Sequence, residues 1–245
     1  MTPGQARAVV NAWGIAGPRG TAGLASARLT LGLRPGLTTT LALAGQHWYD
    51  SERSLRDAQL SVTWKGLDQP TQALRIHGGL TLPTGATGET TAFTPWSTGS
   101  VDPWASVDYY RGSSWLVGGA FTHRQPLYAG TDGYRNGGKT NLDLSVARRN
   151  RWGVAAGRLA FMRSGAGQGR ASGEAFTEVD LALSWLHEID DQWAVTGHLR
   201  VPLYYNALGT PLPYRVAVGL SVARVTARPA VLETQEHHHG DGHKH

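Results

Sequence analysis

What most constrains this chain is an alternation of apolar and polar residues with a period of two, recurring from one end to the other. A strand shows successive side chains to opposite faces, so strict alternation means that each segment separates two different surroundings. The clearest case runs from Phe176 to Ile189: Val179, Leu181, Leu183 and Trp185 share one face, and Glu178, Asp180 and Ser184 share the other. Trp193, Val195, Leu199, Val201 and Leu203 then oppose Gln192, Thr196, His198 and Arg200, with Asp190-Asp191 as a hairpin turn between the two runs. The same reading holds at Leu29/Leu31/Leu33, Leu41/Leu43, Leu60/Val62/Trp64, Leu74/Ile76/Leu80/Leu82, Leu142/Leu144/Val146 and Val216/Val218/Leu220/Val222. Helical periodicity is nearly absent.

About twelve strands follow, over 5–16, 23–34, 37–48, 55–66, 71–83, 103–111, 114–124, 140–149, 152–163, 175–188, 192–205 and 214–226. Strands of about ten residues suit a tilted crossing of a bilayer. In the ninth, the alternation slips near Gly157, which predicts a bulge.

The connections alternate as well. Short turns are expected at Arg34-Pro35-Gly36, Gly66 to Pro70, Arg111-Gly112-Ser113, Asn150-Arg151 and Asp190-Asp191. Longer, glycine-rich ones are expected at Gly17 to Ala22, Tyr49 to Ser54, Thr84 to Asp102, Gln125 to Lys139, Ser164 to Glu174 and Asn206 to Pro213. A soluble meander has no reason to collect its long loops at one end, whereas a bacterial outer-membrane barrel has short periplasmic turns and long extracellular loops. An even number of strands then puts both termini in the periplasm.

Aromatic residues add a weaker indication. Trp13, Trp48, Trp64, Trp104, Trp115, Trp152, Trp185, Trp193, Tyr49, Tyr109, Tyr204, Tyr205 and Tyr214 fall near strand ends, where an interfacial girdle needs amphipathic rings. Aromatics are also simply enriched in strands. The fold expected is all-β: a transmembrane, antiparallel, up-and-down barrel over residues 1–228, with a flexible His-rich tail over 229–245. A soluble barrel or sandwich is the alternative.

Composition closes several other routes. No cysteine is present among the 245 residues, which removes disulfides, thiolate metal sites and thiol nucleophiles. Lys and Arg number 23 against 18 Asp and Glu, but they are scattered, so the +5 charge is not a nucleic-acid footprint. Met1 to Gly20 lacks a basic start followed by an apolar core, so the expectation is either a cytosolic chain or one numbered after removal of its leader.

A lumen follows from the barrel reading, because charges cannot face hydrocarbon cheaply. The inward face is expected to collect Arg28, Arg34, Gln59, Lys65, Arg75, His77, Asp108, Asp143, Arg149, Glu178, Asp180, His198, Arg200 and Arg215. These mixed charges suit either a conduit that steers small solutes or a set of ion pairs filling the interior, since twelve strands lie between barrels that only pack and barrels that conduct.

Three segments in the central part then carry a likeness: Gly79-Leu-Thr-Leu-Pro-Thr-Gly85, Thr98-Gly-Ser-Val-Asp-Pro-Trp104 and the run from Asp132-Gly-Tyr-Arg-Asn-Gly-Gly-Lys-Thr-Asn to Ala147. They resemble the bacterial outer-membrane family named for the phenol meta-cleavage degradation pathway, over about residues 70–225. The resemblance implies a transporter-like outer-membrane barrel, and aromatic hydrocarbons as solutes come from it alone. This chain departs in ending its last strand near Val225 without a terminal aromatic and in continuing into a histidine-rich tail.

Other motifs resolve to bland readings. Gly133-Tyr-Arg-Asn-Gly-Gly138-Lys139-Thr140 matches a phosphate loop in form, but the alternation of Leu142, Leu144 and Val146 after it predicts a strand where that motif needs a helix. Gly165, Gly167 and Gly169 are loop glycines. His77, His123, His187 and His198 lie on separate strands, His123 and His187 outward, and no Gly-x-Ser-x-Gly elbow occurs, so no catalytic residue is proposed. Asp190-Asp191 is turn chemistry.

The tail is the sharpest local feature. His237, His238, His239, His243 and His245 on a glycine-containing segment suit zinc, copper or nickel, although such a run also resembles an affinity tag. The expected function is therefore an outer-membrane channel or passive transporter for small solutes, requiring no cofactor and no nucleic acid, monomeric, with lipid and lipopolysaccharide around it. Arg124, Arg135, Lys139, Arg163 and Arg170 are candidates for lipopolysaccharide phosphates. A metal-handling barrel and a plugged structural barrel are the other readings.

Overall fold

The computed structural model describes residues 1–17, 20–48, 53–55, 57–69, 71–84, 100–128, 137–166, 175–206 and 214–226. The strands are β1 (Ala6–Gly17), β2 (Gly20–Arg34), β3 (Leu37–Trp48), β4 (Arg53–Leu55), β5 (Ala58–Gln69), β6 (Gln72–Leu82), β7 (Asp102–Gly112), β8 (Trp115–Arg124), β9 (Lys139–Asn150), β10 (Gly153–Ser164), β11 (Phe176–Glu188), β12 (Trp193–Asn206) and β13 (Val216–Val225). β4 is a three-residue rung that pairs only with β3. The other twelve each pair antiparallel with their chain neighbours, and β1 closes the ring on β13 from Arg7↔Val225 to Ala16↔Val216. Among the described residues there is no helix.

Alternation explains how the barrel stands in its surroundings. Leu29, Leu31, Leu33, Leu60, Val62, Leu142, Leu144, Val218 and Leu220 all point outward and are exposed, whereas among the described residues the buried apolar ones are only Ala22, Ala58, Tyr214, Ala217 and Ala223. Soluble proteins rarely leave so broad an apolar surface uncovered, and a belt of this kind around a closed sheet is the lipid-facing wall of a membrane barrel.

The expected strands stand within a few residues of those observed, with three corrections. The connection expected over Gly17 to Ala22 is short, because β1 and β2 stay paired as far as Gly17↔Gly20. β10 is regular on both sides through Gly157, which pairs with Val146 and Leu183. The register shifts fall instead between Gly32/Arg34, Lys65/Leu67 and Val179/Asp180. Lastly, the girdle is smaller than expected. Tyr109, Trp115, Trp152, Trp185 and Trp193 are exposed toward the short-turn end, and Tyr204 toward the other, but Trp13 and Trp104 point into the barrel and Tyr214 is buried. Strand parity accounts for this: Trp13 shares its face with Asn11, and Trp104 with Asp102 and Asp108. The side chain of Trp48 and residue Tyr49 lie outside the described residues.

Candidate functional site

Two tryptophans, Trp13 and Trp104, point into the lumen. Each lies over a glycine in register on the neighbouring strand, Trp13 over Gly219 and Trp104 over Gly79. A Cβ at either glycine would come within 2.5 or 2.6 Å of the indole, so the rings reach inward only because these positions carry no side chain. Trp13 stacks on His198 with ring centres 5.1 Å apart.

On the short-turn side of these rings lies a cavity of about 1040 Å³. Its wall is largely hydroxyls and amides, among them Asn11, Thr30, Thr40, Gln59, Ser61 and Thr196, with Arg7, Arg28, Lys65, Arg75 and His77 between them. Lys65 and Arg75 are directly opposed across β5 and β6, a pairing of like charges that a sheet does not favour for its own stability. Lys65 is offset by Asp68 at 2.6 Å, and Arg75 lies 4.0 Å from Asp108. Arg7 and Arg28 have no partner among the described residues. At the mouth, Asp190 Oδ1 accepts the backbone N–H groups of Gln192 and Trp193, both at 2.7 Å, which confirms the turn role of that carboxylate.

Beside the cavity runs a chain of three polar groups. His77 Nε2 donates to Asp108, and its Nδ1 shares a hydrogen bond with the Thr63 hydroxyl at 2.8 Å. The order hydroxyl, imidazole, carboxylate is that of a nucleophile relay. Thr63 nevertheless sits on a regular strand between Thr38 and His77, with its backbone committed to the ladder, so no pair of backbone donors is left to hold an oxyanion. The arrangement orients His77 and keeps Asp108 satisfied.

Toward the long loops the interior is packed by ion pairs. Asp102 is fully buried and accepts from Ser100 and from the Arg124 guanidinium, whose Nε lies at 2.8 Å. Arg200 binds Asp180 through Nε at 2.7 Å, approaches Glu178 at 3.6 Å and lies over the Tyr214 ring at 5.5 Å. Burial pushes the Tyr214 phenol well above its ordinary range, so it stays protonated beside these charges. Between the two clusters, Arg158 reaches Asp143 at 3.6 Å.

Thus Arg28, Gln59, Lys65, Arg75, His77 and His198 line the cavity, Asp108 stands behind His77, and Asp143, Glu178, Asp180 and Arg200 belong to the packed half. Arg215 is exposed before β13 and does not line the cavity, Arg34 is exposed at its turn, and Arg149 is exposed in a pair with Glu188. Asp102, Arg124, Arg158 and Arg7 are the inward charges that the sequence reading did not place in the lumen. Arg124, a candidate for lipopolysaccharide, is committed to Asp102 instead. Arg135, Arg170 and the tail histidines His237, His238, His239, His243 and His245 lie outside the described residues. No group of three or more metal-ligating side chains occurs among the described residues. Lys139 and Thr140 of the phosphate-loop match open β9, the strand expected there.

Known structures share this architecture. An outer membrane channel from Pseudomonas putida F1 superposes with a TM-score of 0.72 at 15% identity, covering 92% of this chain and 97% of that one. The NanC porin superposes with a TM-score of 0.62 at 10% identity, covering 89% and 98%. No protein-family model and no curated protein sequence matches the chain. At these identities the likeness is one of fold, that of bacterial outer-membrane barrels.

Proposed function

We propose that this protein is a passive outer-membrane channel for small solutes, with a preference for anions. The observation that carries the reading is the cavity of about 1040 Å³, in which Arg7 and Arg28 have no carboxylate partner among the described residues, while of the acids at its mouth Glu188 is paired with Arg149 and Asp190 is held by the turn N–H groups, leaving Asp191. Unneutralised cations in a low-dielectric passage raise the local concentration of anions and set selectivity. The fold shared with an outer membrane channel and a porin supports the transport role. The short turns and both chain ends would then face the periplasm, with the chain acting as a monomer. The resemblance to the phenol-pathway family suggests aromatic acids as one class to try. Reconstitution in a planar bilayer under a salt gradient tests the proposal: the reversal potential should show chloride carrying more current than potassium. A folded protein that never opens would overturn it.

The packed long-loop half favours a second reading, a structural barrel with a plugged interior, which the same recording separates from the first. The tail supports a third role, zinc, copper or nickel binding in the periplasm. Calorimetric titration of the full chain should show binding that a chain ending at Arg228 lacks.

A further inference from the structure

We propose that the outer wall of the barrel holds one anionic diacyl phospholipid in the leaflet at the short-turn end. On β10 the outward residues Ala155 and Gly157 lie in register between Arg148 and Val146 of β9 and Trp185 and Leu183 of β11. A low floor between tall walls leaves a trough of about 750 Å³ open to the lipid. Backbone crowding does not demand the small residues. A Cβ at Gly157 would make an ordinary contact 3.7 Å from Leu183, and one at Gly197, farther along the trough, would meet nothing within 4 Å. Space of this kind on a lipid-facing surface suits an acyl chain, which gains wall contacts there that a smooth surface cannot offer.

The charge at the end of the trough selects the headgroup. Arg148 lies 5.0 Å from the centre of the Trp115 ring, which holds the guanidinium in place without neutralising it. Its neighbour Arg149 is paired with Glu188 at 3.2 Å, but no carboxylate among the described residues pairs with Arg148. Arg151 over Trp152 at 4.8 Å and Arg224 over Trp193 at 5.2 Å repeat the device along the same rim. A row of fixed, unneutralised guanidinium forks at the edge of an apolar belt is complementary to phosphodiesters. Lipid A would meet the other end of β10, where Arg163 is exposed on the outward face, and not the trough, which lies toward the short turns. The site goes beyond the channel reading and does not require that the barrel conduct.

The test uses the full chain, folded in neutral detergent and mixed with phosphatidylglycerol or phosphatidylcholine of matched chains, with bound lipid counted by native mass spectrometry. One phosphatidylglycerol per barrel is expected, held about tenfold more tightly than phosphatidylcholine, because both carry the phosphodiester but the choline cation of the second cancels its net charge and is repelled by the guanidinium row. R148Q should bring phosphatidylglycerol down to the phosphatidylcholine level, and G157L, which fills the trough, should lower retention of both lipids. Heat-modifiable gel migration verifies that each variant is folded. Equal retention of the two lipids by the wild type, or phosphatidylglycerol retention unchanged in both variants, overturns the proposal. A preference for lipid A over phosphatidylglycerol in the same assay overturns the choice of lipid.

Discussion

The two halves of the lumen are built from the same strands and the same inward parity, yet they do opposite things with charge. Toward the long loops, Asp102 with Arg124 and Asp180 with Arg200 are joined acid to base and largely withdrawn from solvent. Toward the short turns, Arg7 and Arg28 face about 1040 Å³ of open volume with no partner among the described residues. A polar inward row is therefore not in itself a pore. Whether the row becomes filling or passage depends on whether the charges from neighbouring strands find each other.

That contrast can be broken most directly by removing one member of a packed pair. Arg124→Ala leaves the Asp102 carboxylate buried and uncompensated, and should cost about 3–5 kcal/mol in urea unfolding of the folded barrel. If Arg28→Ala in the open half costs as much, the distinction between the halves fails. Removing both partners tests the same idea from the side of function. Asp180→Ala combined with Arg200→Ala should widen the packed half and raise single-channel conductance about twofold. Unchanged current would move the constriction elsewhere. Reversing the unpaired charges is expected to act on selectivity alone. Arg7→Glu with Arg28→Glu should shift the reversal potential toward cations while stability stays within about 0.5 kcal/mol, as for exposed substitutions. The smallest effect is expected at the rim, where Asp190→Ala frees two turn N–H groups and should lower stability by about 1 kcal/mol, with conductance preserved.

The staves of the barrel were legible because a wall between lipid and a polar interior forces a period of two, and that signal survives in a single sequence. The pairing of the interior charges was not, because partners such as Arg200 and Asp180 meet across strands in a register that the alternation leaves open. Asp102 falls at the end of an expected long loop and Arg124 at the end of an expected strand, yet the two form an ion pair in which the carboxylate is fully buried. Alternation does not assign Arg158 a face once a bulge is expected at Gly157, because a small outward residue there imitates a change of phase. Trp13 and Trp104 carried a usable signal in their parity, overridden by the expectation that rings near strand ends belong to the interface. Two of the three motifs behind the family resemblance gain a physical meaning: Gly79, Thr81, Ser100, Asp102 and Trp104 meet in one place, toward the long-loop ends of β6 and β7.

The seam between β1 and β13 bears on how such a molecule comes into being. Residues near opposite ends of the polypeptide must clasp there, down to the Ala6 amide donating to the Thr226 hydroxyl at 2.9 Å and the Thr226 amide to the Ala6 carbonyl at 2.8 Å. Until that last clasp forms, both flanking strands offer raw hydrogen-bonding edges to hydrocarbon. Assembly must therefore keep those edges paired or shielded while the β1 and β13 segments search for each other, and the loop closed in that search runs from Ala6 to Thr226.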